Sequence, residues 1–227
     1  MTSYKVEKTV YFDNPGFHNT DISLSLAKER ALALGIRDVV VATNSGATGA
    51  KASEIFKGFN LVAVTHYFRL ARKEFKEENR KIIENNGGKI LTCTQLFGGI
   101  ERGIRILYET ILPLDLMGNT LKIFGDGMKV AIEIGMMAAD AGLIPTDREI
   151  ISIAGTWRGA DTAIVMQPRY STEFYFLEVR EIIAKPRITL GPDERVFLES
   201  HMEAMRKRVL KIRKKKGEMM SKNKKQD

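Results

Sequence analysis

Three observations predict a three-layer α/β/α sandwich: a mostly parallel sheet with helices on both faces, followed by a C-terminal helix. Strands and helices alternate along the chain, as parallel strands joined by crossover helices require. Val39-Val40-Val41 is apolar at every position, so both faces of that strand are built for burial. Segments rich in glycine and hydroxyls each follow a strand: Asn14 to Thr20, Thr43 to Gly49, Thr65-His66, Thr94 to Gly99 and Ala154 to Asp161. In a parallel sheet such loops gather on the carboxyl edge, where open α/β sheets bind their ligands.

The elements can be justified in order. Val6 to Phe12 alternates and is rich in β-formers, so it reads as a first strand, turned by Asp13-Asn14-Pro15-Gly16. Asn19-Thr20-Asp21 offers N-caps for a helix from Thr20 to Leu34, ended by Gly35. Asp38 to Ala42 is a second strand, and a helix runs from near Ala50 to about Lys57. Leu61 to Thr65 is a third strand. A charged helix from Leu70 to Glu84 stops at Asn85-Asn86-Gly87-Gly88, and Lys89 to Thr92 is a fourth strand. Ile100 to Ile111 has helical spacing ended by Pro113, and Leu121 to Phe124 is either a strand or a helical turn. Met128 to Ala141 is a helix, Glu149 to Ile153 and Thr162 to Gln167 are strands, and Glu173 to Ile183 is extended. Asp193 caps a last helix reaching Arg213. In it Leu198, Met202, Met205, Val209 and Ile212 recur at steps of four and three, a narrow seam that either docks on its own domain or pairs with another subunit.

The 227 residues hold one α/β domain and an appendage. A single cysteine, Cys93, excludes an internal disulfide and suits a reducing cytosol. The N-terminus is too polar for a signal peptide, and no apolar run approaches the ~20 residues needed to span a bilayer. A soluble cytoplasmic protein is therefore expected. The net charge of +8 is concentrated in one place: Arg206 to Asp227 holds 11 Lys/Arg against 2 Asp/Glu, which leaves the remainder at 25 against 26. That tail has no interleaved aromatics for base stacking, so a solvated tail is expected rather than a nucleic-acid surface.

Thr43-Asn44-Ser45-Gly46-Ala47-Thr48-Gly49 links a strand to a helix through small polar residues. This arrangement aims helix-terminal N–H groups and hydroxyls at an anion, although a plain capped turn has the same outline. It is no Walker A loop, because only two residues separate Gly46 from Gly49 and Ala52 follows Lys51. Nor does Gly125-Asp126-Gly127 open a dinucleotide fingerprint, since Val130 stands where the third glycine belongs. Ser45, Gly46, Ala47 and Thr48 are the expected phosphate cradle, with Thr43 and Asn44 orienting it. Lys51 reads as a surface lysine. His66 either bonds a neighbouring loop or touches ligand, and it has no nucleophile or carboxylate partner in sequence. Trp157 either stacks on a planar ring or covers the sheet edge. Asp161 either reads a ligand or pins its own loop. Cys93 reads as a small buried residue at a strand end. No set of residues shows metal-ligand spacing, and no catalytic residue can be named.

Val39 to Thr48 resembles the strand and T-x-S-G-x-T/S loop of the pyruvate kinase C-terminal domain, where this loop grips a phosphate of a sugar-bisphosphate activator. Ala138 to Pro145, then Ile150 to Ala163, resembles that domain's later helix, strand and glycine loop. Tyr11-Phe12-Asp13-Asn14-Pro15-Gly16, Asn19-Thr20, Val64-Thr65-His66, Gly155-Thr156 and Gly159-Ala160-Asp161-Thr162 are similar to the hallmarks of stand-alone archaeal pyruvate kinase α/β domain proteins. The likeness covers about residues 5–190, with residues 191–227 forming a helix and basic tail. It implies a bound flavin mononucleotide or another phosphorylated small molecule. Thr65, His66, Gly155, Thr156, Trp157, Gly159, Ala160, Asp161 and Thr162 then join the cradle as candidate ligand contacts. A flavin-dependent oxidoreductase or a regulatory sugar-phosphate module are the alternatives. The chain departs from these relatives after His66, where Tyr67-Phe68-Arg69 replaces a glycine-containing loop. With no barrel domain, the pyruvate kinase active site is absent from this sequence.

Overall fold

Seven strands form one sheet in a computed structural model that describes residues 4–189 and 192–223. They are β1 (Val10–Phe12), β2 (Asp38–Ala42), β3 (Asn60–Thr65), β4 (Lys89–Thr92), β5 (Ile150–Ala154), β6 (Thr162–Gln167) and β7 (Glu178–Pro186). Their order across the sheet is β1-β7-β6-β5-β2-β3-β4. Only β6 runs against its neighbours, because a hairpin joins it to β5 and it pairs antiparallel with β7 as well. All other pairings are parallel, so the mostly parallel α/β sandwich expected from the sequence is the fold observed.

Strand alternation divides the interior in two. Val39, Val41, Leu61, Ala63, Ile151 and Ile153 form one core with α1 (Thr20–Leu34), α2 (Ala47–Ile55) and α4 (Glu77–Asn85), which supply Leu24, Ala52 and Ile83 among others. Val40, Val62, Val64, Ile150, Ile164 and Met166 face the opposite way, against α7 (Asp126–Asp140). Two-sided burial explains why Val39-Val40-Val41 is apolar throughout. The central helix α7 lies tight on the sheet: Ser152 Oγ donates to the Ala131 carbonyl at 2.7 Å, and a Cβ on Gly135 would sit 2.7 Å from Met166 Sδ.

One charge is sealed inside this layer. Glu133 in α7 is 0% exposed. Its carboxylate accepts the Phe97 N–H at 2.8 Å and meets the mostly buried Lys129 ammonium, one turn earlier, at 2.5 Å. That pair anchors the loop after β4 to the central helix.

Several elements differ from expectation for identifiable reasons. β1 is confined to Val10–Phe12, the stretch that finds a partner in β7. The helix expected from Leu70 to Glu84 is two helices, α3 (Phe68–Glu74) and α4. It breaks because Lys76 is extended and its N–H donates to the Ser45 carbonyl at 3.1 Å, a tertiary bond that replaces a helical one. After α5 (Gly99–Tyr108), Pro113 opens α6 (Pro113–Leu121) instead of closing α5. Proline suits a first helical turn, and the Asp115 carboxylate accepts the Leu112 N–H at 3.3 Å. Leu121 to Phe124 is helical, not extended, and a short 3₁₀ stretch at Ser171–Phe176 precedes β7. The last helix, α8 (Pro192–Asn223), continues well past Arg213. The chain divides into two compact units, the first ending at Thr189 and the second containing α8. Among the described residues no helix is long and apolar enough to cross a membrane.

Removing one partner of a buried ion pair strands the other. Glu133→Leu is therefore expected to destabilise the domain by about 3–5 kcal/mol in urea unfolding. A loss near zero would mean that Lys129 reaches water without its partner.

Candidate functional site

Strand direction builds the site. Because β1 to β5 run the same way, the loops that follow them meet on the carboxyl edge, and so do the N-termini of the helices that return antiparallel to the strands. α1 and α2 start there directly after β1 and β2. α4 starts beside Ser45, and α7 starts beside Thr162, whose hydroxyl a Cβ on Gly127 would strike. Four positive helix ends thus face one edge, each amplifying the others' preference for an anion.

The Thr43–Thr48 loop sits at the middle of that edge, after β2, where the strand order reverses between β2 and β5. Gly46 takes φ 87°, a left-handed value open to glycine, and α2 begins at the next residue. Two first-turn amides of α2 make long bonds to side chains: Gly49 N–H to Thr43 Oγ1 at 3.3 Å and Ala47 N–H to Ser45 Oγ at 3.5 Å. Asn44 and Ala47 are exposed and Thr48 half-buried, so the loop is approachable from that side. Its other side is covered. Asn79 Nδ2 donates to the Ser45 carbonyl at 2.9 Å, and a Cβ on Gly46 would lie 2.7 Å from Asn79 Cβ and 2.9 Å from the Phe75 ring. Phe75, Lys76 and Asn79 went unrecognised in the sequence, where they read as a continuous charged helix.

Beneath the loop two threonines lie side by side. Thr43 N–H donates to the Val64 carbonyl at 2.9 Å, which sets Thr43 next to Thr65 at the strand ends. Both continue the alternation that sends Val41 and Ala63 toward the α2 face. Thr43 Oγ1 has the Gly49 amide. Thr65 Oγ1 is different: the residue is 4% exposed and its hydroxyl, like that of the buried Ser23 in α1, has no hydrogen-bond partner among the described residues. Thr92 of β4 pairs with Thr65, so the row of hydroxyls continues one strand further. His66, the next residue after Thr65, is half-buried.

The β5–β6 hairpin is organised by Asp161, which is wholly buried. Its carboxylate accepts the Gly16 N–H at 2.9 Å, the Thr156 N–H at 3.1 Å and the Thr162 hydroxyl at 2.8 Å. Asp161 therefore pins its own loop to the one after β1, the second of its two readings. Thr20 completes the clasp: its Oγ1 accepts the Ala160 N–H at 3.0 Å. The glycines are forced by proximity. A Cβ on Gly155 would stand 2.6 Å from the Gly159 carbonyl oxygen, and one on Gly159, at φ 73°, would stand 2.6 Å from Phe17 Cα. Trp157 is 80% exposed and adopts φ 64°, so it does not cover the sheet edge. A left-handed backbone at a bulky residue is uncommon and costs on the order of 1 kcal/mol. Phe17, Tyr67 and Phe68 leave aromatic surface exposed on the same edge, and Arg158 adds an exposed cation next to Trp157.

Of the other flagged residues, Lys51 is occupied and Cys93 directly follows β4. Lys51 pairs with Asp21, joining the first turns of α2 and α1. Cys93 is half-buried, and burial, with Asp140 and Glu133 nearby, raises its thiol above the usual range. Among the described residues no group of three or more His, Cys, Asp or Glu is placed to hold a metal ion.

Two outcomes check this geometry. Gly155→Ala places its methyl against backbone and is expected to lower the melting temperature, whereas an unchanged melt would show that the hairpin can shift. A raised thiol pKa means less thiolate at any pH below it. Cys93 is thus expected to alkylate more slowly at about pH 8 than a free cysteine, with an upward-displaced pH midpoint. A midpoint at or below the ordinary value would contradict the burial.

Residues 22–166 match the model of the family described as "Pyruvate kinase, alpha/beta domain". The matched stretch extends from the first turn of α1 almost to the end of β6 and takes in both the Thr43–Thr48 loop and the β5–β6 hairpin. With well over half of its length matched, the chain belongs to the pyruvate kinase alpha/beta domain family.

Proposed function

We propose that this domain binds a phosphate-bearing small molecule at the carboxyl edge of the sheet, with flavin mononucleotide as the first candidate. The observation that carries the reading is the Thr65 hydroxyl. A buried, unpartnered hydroxyl costs about 1–3 kcal/mol, and such groups are ordinarily satisfied. It lies beside Thr43 near the start of α2, where a phosphate oxygen could accept its proton. Ser45 and Thr48 add hydroxyls, and the loop's small side chains let backbone amides come close to an anion.

The residues present fit a flavin phosphate at this end and a planar ring at the other. Trp157 is 80% exposed in the hairpin loop and has a left-handed backbone. Asp161 is already saturated by its own loop, so it serves by holding the hairpin in place rather than by reading the ring. His66 remains a contact at the edge without an acid or base partner. A bound flavin would supply redox chemistry of its own. This chain's residues would grip the phosphate and stack the ring. Among the described residues of the edge no hydroxyl or thiol is hydrogen-bonded to a general base, and binding is the activity proposed.

The test separates stability from binding. Thr65→Val replaces the orphan hydroxyl by a methyl of similar shape. Without ligand it is expected to melt at the same temperature as the native chain or higher. With flavin mononucleotide at 100 times its dissociation constant the native chain should gain about 2.7 kcal/mol. That gain should shrink in Thr65→Val and vanish in Ser45→Asp, which sets a like charge against the phosphate. Mass spectrometry of small molecules released from denatured protein would identify the natural ligand. If neither flavin mononucleotide, sugar phosphates nor inorganic phosphate raises the melting temperature, the proposal fails. If flavin binds and Trp157→Ala leaves affinity and flavin fluorescence unchanged, the ring lies elsewhere while the phosphate assignment stands.

A further inference from the structure

The direction of one backbone amide in the Thr43–Thr48 loop is set from outside the loop. The Ser45–Gly46 peptide is trans and planar, so the Ser45 carbonyl and the Gly46 N–H point in opposite directions. Two donors hold that carbonyl: the Lys76 N–H at 3.1 Å and Asn79 Nδ2 at 2.9 Å. Both stand at the start of α4, with Lys76 as its N-cap and Asn79 in its first turn. The Gly46 N–H is thereby turned away from α4 and from the covered side of the loop. Gly46 is buried, yet among the described residues its N–H has no hydrogen-bond partner. It is a second unpartnered donor in the region where the Thr65 hydroxyl is the first.

The chain itself does not impose this direction. A peptide next to glycine can turn over by opposite rotations of the ψ before it and the φ after it, and glycine tolerates a wide range of φ. Turned over, the plane would place the Ser45 carbonyl oxygen where the amide now stands. Its partial negative charge would then repel an anion at the start of α2, and the Lys76 and Asn79 donors would confront the Gly46 N–H. Two hydrogen bonds select against that arrangement. Lys76 contributes only backbone, so Asn79 is the side chain that makes the selection. Its Cβ and the Phe75 ring also leave no room for a side chain on Gly46, which keeps the glycine pressed against α4.

We propose that Asn79 is a positioning residue for the anion site. Its amide holds the Ser45–Gly46 peptide so that the Gly46 N–H donates to a bound phosphate oxygen. This rests on the phosphate reading above and adds to it the donor and the side chain that aims it. The experiment is an amide NMR titration of the full chain with inorganic phosphate, which follows each N–H separately. In the native chain the Gly46 amide proton is expected to move downfield as phosphate binds. Asn79→Leu removes the donor at similar size, and Asn79→Asp sets an acceptor against the Ser45 carbonyl. The phosphate dissociation constant should rise about tenfold in Asn79→Leu and further in Asn79→Asp. The Gly46 displacement should shrink in both, while circular dichroism and the amide signals of β5 and β6 stay native. Phosphate that displaces the Ala47 and Thr48 amides but leaves Gly46 unmoved in the native chain would overturn the inference and leave the anion site standing. So would an Asn79→Leu chain that binds phosphate as the native one does. If neither inorganic phosphate nor flavin mononucleotide displaces any amide of the edge, the phosphate reading fails and this inference falls with it.

Discussion

The Asp161 carboxylate is the constraint on which the carboxyl edge depends. It is the buried acceptor for three donors from two loops: Gly16 from the segment after β1, and Thr156 and Thr162 from the hairpin after β5. In the sheet β1 and β5 are separated by β7 and β6, so their loops have no backbone reason to meet. A charged acceptor with three hydrogen bonds supplies that reason, because leaving a buried carboxylate unpaired would cost far more than any one bond contributes. Thr20 and Ala160 reinforce the same junction, and the tight packing of Gly155 and Gly159 follows from it. With the hairpin fixed, its tip can carry a strained and exposed Trp157.

A second buried charge does similar work on the other face. Glu133 binds the Phe97 amide and so ties the loop after β4 to α7. The edge is thus held from both layers by carboxylates rooted in rigid elements: one at the start of β6, the other inside the central helix. Rigid anchoring fixes the helix ends and hydroxyls of this edge beforehand, so a ligand binding there would not bear the cost of ordering them.

Much of this was legible in the sequence, and what was missed shares one physical character. Two-sided burial could be read from Val39-Val40-Val41, and the carboxyl-edge loops from their glycines and hydroxyls, because these signals are local. The reversal of β6 and the pairing of β1 with β7 depend on contacts distant in sequence, and no periodicity records them. The break at Lys76 is tertiary, since its amide leaves the helix for the Ser45 carbonyl. Asp161 was flagged with two roles, and only its surroundings decide between reading a ligand and pinning a loop. Glu133 did leave a trace: a carboxylate in an otherwise apolar run, with Lys129 four residues before it on the same helix face. A charge there is rarely buried without a partner, so the pair could have been anticipated.

Thr65 and Asp161 show how satisfied and unsatisfied polar groups divide the work of the edge. Asp161, Thr20 and Thr43 each have a donor or acceptor within the chain, so their part is architectural and is complete in the folded domain alone. Thr65 is as buried as Thr43 and also lies at a strand end, yet among the described residues its hydroxyl, like that of Ser23 in α1, is unpaired. Valine would fill that space without the penalty and would suit a strand better. The domain therefore carries a group that folding alone does not need, next to a helix end whose amides are only loosely held. Trp157 repeats the pattern in the backbone, with strain and apolar exposure that packing does not explain. Two independent costs, one in hydrogen bonding and one in conformation, fall on loops that share an edge. On the proposed reading an anion would satisfy the Thr65 hydroxyl and a flat ring would cover the Trp157 indole, while the backbone at Trp157 would keep its strain.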